Sequence, residues 1–250
     1  MRTNQRSSRR EVVVGTTAAA AMLFGGSAAE AQSAAKTFVL VHGAWHGGWC
    51  YRRVADLLAA KGHKVYTPTL TGLGERSRLM SRDIRLTTHI DDIVNVIKWE
   101  ALNDIVLVGY SYGGMVVSGV AEKQQPTISS IVFLDAFLPD NGKNLDDYTT
   151  PQQSRGLKEA ADRGDIGLKP IPAAVFKVNE KDAAWVDAMC TPQPIRTFLD
   201  TIALQEHEKK SREKHIYALL YPQALHSPRR IKRFKPIGRG GPTKSLRGMM

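Results

Sequence analysis

The sequence predicts an α/β fold built on a doubly wound, mainly parallel sheet. Three observations lead there. Short apolar runs rich in β-branched residues alternate with stretches whose apolar positions recur at helical spacing, and parallel neighbours need such crossovers. The chain has 250 residues, enough for one sizeable core. Its composition, 42% apolar, 24% charged and 7% aromatic, excludes collagen-like, coiled-coil and wholly disordered classes.

The elements follow in order. Residues 37–41 (TFVLV) form a buried strand ended by His42-Gly43. Over 49–60, Val54, Leu57 and Leu58 recur at helical spacing, and Gly62 stops the helix. A strand at 64–67 ends at Pro68. Thr88 can cap a helix in which Ile90, Ile93, Val94 and Ile97 make one apolar stripe for packing on a sheet. Residues 105–108 are a further strand, 115–121 a helix and 128–134 another strand. Between about 139 and 200 Pro, Gly, Asp and Lys interrupt short helical stretches near 183–189 and 195–202, the pattern of a helical lid over the sheet edge. The last strand expected is 215–219.

The net charge of +11 sits in the two ends. Residues 1–31 hold four Arg against two Glu, and 227–250 hold eight Lys or Arg and no acid. The body, 32–226, is nearly neutral, which argues against nucleic acid as a partner. Ser8-Arg9-Arg10, an Ala-rich run and the small-x-small site Ala29-Glu30-Ala31 read as a twin-arginine export signal over 1–31. The expected partner is that export machinery, and the expected location periplasmic or secreted. Gly and Thr interrupt the apolar run, so no stable membrane span is expected. The tail at 227–250 lacks periodicity and reads as disordered, whether native or the product of a reading-frame change. Cys50 and Cys190 are either bridged or free thiols.

The chemistry centres on Gly109-Tyr110-Ser111-Tyr112-Gly113-Gly114, between a strand and a helix. In this Gly-x-Ser-x-Gly elbow the glycines permit a sharp turn that leaves the serine hydroxyl exposed at the helix start, and Ser111 is the candidate nucleophile. His42-Gly43-Ala44-Trp45 follows the first strand, where a loop can turn a backbone N–H toward that serine. The Ala44 and Tyr112 amides then form an oxyanion hole. His42 reads as a histidine that positions backbone, and His46 as either a substrate contact or part of a turn.

The segment VLVHGAWHGGWCYRRVADLLAAKGHKVYTPTLTGLGERS, with GYSYGG and VFLDAFLPD, resembles the α/β-hydrolase superfamily, in the branch of plant methylesterases, hydroxynitrile lyases and their bacterial relatives. The likeness runs from Lys36 to Asp147, and more loosely to Tyr221. It implies a Ser–acid–His triad with no metal and no organic cofactor. The triad acid in many members follows the strand matched by 215–219, yet Leu220-Tyr221-Pro222-Gln223 holds no carboxylate. Asp135, at the end of 128–134, occupies a place that some members use instead. The triad base should be a histidine near the C-terminus after one further strand. The last strand and helix are expected to be missing here, which leaves His226 as the candidate, as readily free as catalytic.

The reading is a serine hydrolase that cleaves a small, fairly apolar carboxylic ester through an acyl-enzyme. The form of the His42-Gly43-Ala44 loop resembles the esterases more than the lyases. The alternatives are a non-catalytic ligand-binding pseudoenzyme lacking the triad histidine, and a hydroxynitrile lyase.

Overall fold

The computed structural model describes residues 34–204 and 216–219. The export segment at 1–31, the tail at 227–250, His226 and the expected loss of the last strand and helix lie outside the described residues. Strands β1 (Thr37–Val41), β2 (Lys64–Tyr66), β3 (Ile105–Tyr110), β4 (Ile128–Leu134), β5 (Gly167–Leu168), β6 (Gln193–Pro194) and β7 (Ile216–Leu219) alternate with helices α1 (Arg52–Ala60), α2 (Leu86–Trp99), α3 (Gly113–Gln124), α4 (Pro151–Asp162), α5 (Glu180–Met189) and the single turn α6 (Arg196–Leu199). Five strands form one parallel sheet in the order β2-β1-β3-β4-β7, and β5 pairs antiparallel with β6.

The order reverses between β1 and β3. The chain leaves β1 toward β2 on one side and returns to place β3 on the other, with Val41 beside Gly109 at their carboxyl ends. In open parallel sheets, such a reversal opens a crevice outside the strand ends, and ligands bind there.

Alternation along the strands divides the core. Val39, Val41, Ile105 and Leu107 face α2 and α3, packing with Ile90, Ile93, Ile97, Met115 and Val117. Leu40, Val106 and Val108 face the other way, toward Tyr51 and Leu58. The stripe read from Val54, Leu57 and Leu58 is only partly used: Leu58 packs on the sheet, while Val54 is 44% and Leu57 66% exposed.

Two helix starts differ from expectation. Thr88 is not the cap of α2, which begins at Leu86; its hydroxyl accepts the Arg85 N–H at 3.0 Å from inside the first turn. The periodicity missed α4, since only Leu157 and Ala160 of that helix are buried. Its start is nevertheless written locally, because Thr150 and Gln153 exchange hydrogen bonds ahead of Pro151 in a capping box.

Candidate active site

Ser111 sits between β3 and α3 with φ +51°, a left-handed conformation that β-carbon sterics disfavour. Such a residue costs on the order of 1–3 kcal/mol and persists only where its surroundings fix it. Here its carbonyl accepts the N–H of Gly114 at 3.0 Å and of Phe137 at 3.1 Å. Glycines make that packing possible. A β-carbon at Gly109 would lie 2.7 Å from the Gly113 carbonyl oxygen, one at Gly113 2.6 Å from that of Val41, and one at Gly114 2.0 Å from that of Phe137.

The loop after β1 meets the elbow directly. A β-carbon on Gly43 would stand 3.1 Å from the Ser111 β-carbon, so Ala44 begins one residue from the candidate nucleophile. Among the described residues, neither the Ala44 nor the Tyr112 amide donates to a protein acceptor. Trp45, at φ +65°, holds the loop in place. Its N–H donates to Gln193 Oε1 at 3.1 Å, its indole to the Leu168 carbonyl at 3.2 Å, and its own carbonyl accepts the Thr191 N–H at 2.9 Å.

His42 is a structural histidine, as expected. Its Nδ1 donates to the Gly43 carbonyl at 2.8 Å and its Nε2 accepts the Leu70 N–H at 3.1 Å. Burial disfavours the charged ring and pushes its pKa down to about 3. His46 is buried, with Nδ1 on the Ala44 carbonyl at 2.7 Å, and burial lowers its pKa too. Its ring stacks on Trp49 and meets Tyr110 and Phe176 edge-on, while Trp185 abuts Trp49. The result is an aromatic wall that begins beside Ser111. The buried Trp49 indole N–H has no partner among the described residues.

Asp135 lies at the end of β4 with φ +43° and an exposed side chain. Two residues on, Phe137 is hydrogen-bonded to Ser111, so the strand end belongs to the same edge of the sheet as the elbow. Burial raises the Tyr110 hydroxyl pKa, and the Asp135 carboxylate raises it further. Ser111, Ala44, Tyr112 and Asp135 are thus brought to one edge, whereas His226 falls outside the described residues. Cys50 and Cys190 are free thiols within one apolar cluster with Trp49, Ala173 and Val186. Burial pushes them up to about 12 and about 11, away from reactivity.

Sequence reasoning missed His89. It is fully buried on α2, with Nδ1 at 2.9 Å from the Tyr112 hydroxyl and Nε2 at 2.8 Å from the Thr71 carbonyl. The available signal was a histidine inside the apolar stripe of α2, a buried polar group that must find partners. Among the described residues no cluster of three or more His, Cys, Asp or Glu could hold a metal ion, and no helix is long and apolar enough to cross a membrane.

The alpha/beta hydrolase family model matches residues 38–237. The chain belongs to that family. Within this hydrolase family it is 46% identical over 170 residues to the carbendazim hydrolyzing esterase of Nocardioides sp. (strain SG-4G), covering 64% of this chain and 70% of that protein. To methylesterase 1 of Arabidopsis thaliana it is 39% identical over 105 residues, 41% of this chain and 40% of the other, so the match spans less than half of that relative. Among solved structures, an extracellular α/β-hydrolase from a Paenibacillus species, described as sharing structural and functional homology with tobacco salicylic acid binding protein 2, superposes with a TM-score of 0.65. Identity there is 25%, over 74% of this chain and 77% of that one.

Proposed function

We propose that this chain is a carboxylic-ester hydrolase that uses Ser111 as its nucleophile. The observation that carries the reading is the left-handed Ser111 elbow, set against the Gly43-Ala44 loop at the point where the strand order reverses. The esterase relatives support the reaction class.

In this mechanism Ser111 Oγ attacks the ester carbonyl while a histidine takes its proton. The Ala44 and Tyr112 N–H groups receive the charge that develops on the carbonyl oxygen, an interaction strongest in the transition state. The tetrahedral species collapses, the histidine returns the proton to the leaving alcohol, and an acyl group remains on Ser111. Water, deprotonated by the same histidine, then releases the acid. Asp135 orients the histidine, and His226 is the residue assigned as base. The aromatic wall of Tyr110, His46, Trp49 and Phe176 suits a small, fairly apolar ester. We place the enzyme in the cell envelope or outside it, by twin-arginine export. Replacing Arg9 and Arg10 with Lys should leave it in the cytoplasm.

The test is labelling of the full chain by a fluorophosphonate, alongside turnover of a short activated ester. Ser111→Ala should abolish both, a loss of about 10⁴-fold or more in kcat. His226→Ala should lower labelling and turnover together. A ligand-binding module without turnover is the second reading. What supports it is that, among the described residues, His42 and His89 commit both ring nitrogens, and His46 and His63 one each, to partners other than Ser111. A folded wild type that binds ester yet resists the probe would establish it, and cyanide release from a cyanohydrin would establish lyase chemistry instead.

A further inference from the structure

The geometry points to His89 and the Tyr112 hydroxyl as a positioning pair for the oxyanion site. Together they fasten the Tyr112 amide to the same short segment, Leu70 and Thr71, that holds the Ala44 loop through His42. The inference rests on the reading of Ser111 as nucleophile.

The hydrogen bonds fix the direction of each link. A carbonyl oxygen only accepts, so the contact between His89 Nε2 and the Thr71 carbonyl places the ring proton on Nε2. Nδ1 of the neutral ring is then an acceptor, and the Tyr112 hydroxyl donates to it at 2.9 Å. Burial keeps that ring neutral, holding its pKa down at about 4. His42 shows the opposite tautomer, with its proton on Nδ1 toward the Gly43 carbonyl and Nε2 accepting from Leu70. Two rings therefore run from adjacent residues of one segment, Leu70 and Thr71, to the two sides of Ser111.

That segment is itself braced. The Thr71 N–H and hydroxyl both donate to the Asp92 carboxylate, at 2.7 and 2.8 Å. Arg76 bridges Asp92 at 3.2 Å and the Thr69 carbonyl at 2.8 Å. Tyr112 is fully buried, its ring edge-on to His89 and tilted against Phe198. A phenol and an imidazole buried here cost desolvation that an apolar pair would avoid, unless every polar atom is satisfied. What the polar pair adds is direction. It ties down the far end of the Tyr112 side chain and, through the Cα, limits the backbone shifts that would turn the amide away from the position that oxyanion stabilisation demands.

Tyr112→Phe and His89→Gln in the full chain test this, with kcat and KM for an activated ester and the inhibition constant of a trifluoromethyl ketone, whose adduct with Ser111 is a hemiketal oxyanion. Tyr112→Phe should lower kcat about 10- to 100-fold with KM within about threefold, and ketone affinity should fall in parallel with kcat. His89→Gln, whose amide can still donate toward Thr71, should retain more activity than His89→Leu. If Tyr112→Phe keeps kcat and ketone affinity within twofold while its melting temperature falls, the pair is only structural and the inference is overturned. Should the His89 variants fail to fold, Tyr112→Phe, which loses one oxygen atom, decides alone. The wild-type ¹⁵N histidine spectrum adds a check free of mutation: His89 must be the Nε2–H tautomer and His42 the Nδ1–H tautomer, and the reverse for His89 overturns the inference. Failure of the underlying reading looks different, as a wild type that the fluorophosphonate does not label at all.

Discussion

On the sheet face that carries α2 and α3, Ile93, Ile105, Leu107, Met115 and Val117 are all fully buried, whereas on the α1 face no residue of the helix itself is buried and Leu57 is 66% exposed. Both faces come from the same strands, one residue out of step. The candidate site draws its supports from the deeper face: Tyr112 lies in that cluster, and His89 projects from α2 among its apolar side chains. The thin face is joined to the rest at its rim instead, where the Arg53 guanidinium grips the Asp182 carboxylate by two bonds of 2.7 Å and lies over the Trp185 ring. A left-handed elbow such as that at Ser111 needs its strain held in place, and the depth of packing shows which side of the sheet does the holding.

Four measurements would sharpen or break this contrast. The largest effect concerns the two buried neutral histidines. Their folded pKa values, about 3 for His42 and about 4 for His89, lie below the unfolded value near 6.5. The unfolded chain therefore binds protons first as pH falls, and the stability they confer is complete above pH 6.5 and lost on acidification toward their folded values. Between pH 7 and pH 5 the pair should cost on the order of 4 kcal/mol, read by urea unfolding. His42→Asn should remove about half of that slope; an unchanged slope would show that neither ring is held neutral.

Next in size is Ile93→Ala on the deep face, expected to cost about 3–4 kcal/mol through lost burial and a cavity. Val108→Ala on the thin face deletes less from a looser setting and should cost about 1–2 kcal/mol. The smallest effect is Leu57→Lys, within about 0.5 kcal/mol of wild type, since the side chain already stands in solvent. A loss above 1.5 kcal/mol for Leu57→Lys would mean that the face is covered in solution and that the contrast is false.

Legibility in the sequence follows the range of the interactions. β1 and β4 match their expected bounds because each is a β-branched run with an abrupt polar end, at His42 and at Asp135. β3 runs two residues further than its apolar run, through Gly109 and Tyr110, because pairing with β1 and β4 carries the strand on to the elbow. Ser111 is legible because the glycines that permit its turn, Gly109, Gly113 and Gly114, lie two and three positions away within the motif, although the Phe137 bond that also holds it does not. Asp135 is legible as a strand-end residue, yet its nearness to the elbow comes from the pairing of β4 with β3, which sets Leu134 beside Tyr110, and from the bond between Phe137 and Ser111, neither of which a local pattern announces. His89 is the extreme case. Its two partners, Thr71 and Tyr112, lie 18 and 23 residues away on opposite sides in the chain, and only tertiary packing brings them to one imidazole.

The Trp45 anchors carry a consequence for the order of assembly. The loop that offers the Ala44 amide is tied to Gln193, 148 residues further along, and to Leu168, 123 residues along. A chain growing from its N-terminus completes β1, β3 and the elbow long before those partners exist, and closing such long intervals is the slow part of building a contact. The serine turn can begin from local glycines, and His42 ties the start of the partner loop to Leu70, but its Trp45 end stays unfastened until the antiparallel pair of β5 and β6 arrives. Chains truncated before Gln193 should therefore hold a shaped serine beside an Ala44 loop fastened only through His42. Under the proposed role of Ser111, the timing of synthesis separates the appearance of the nucleophile from the appearance of its reactivity.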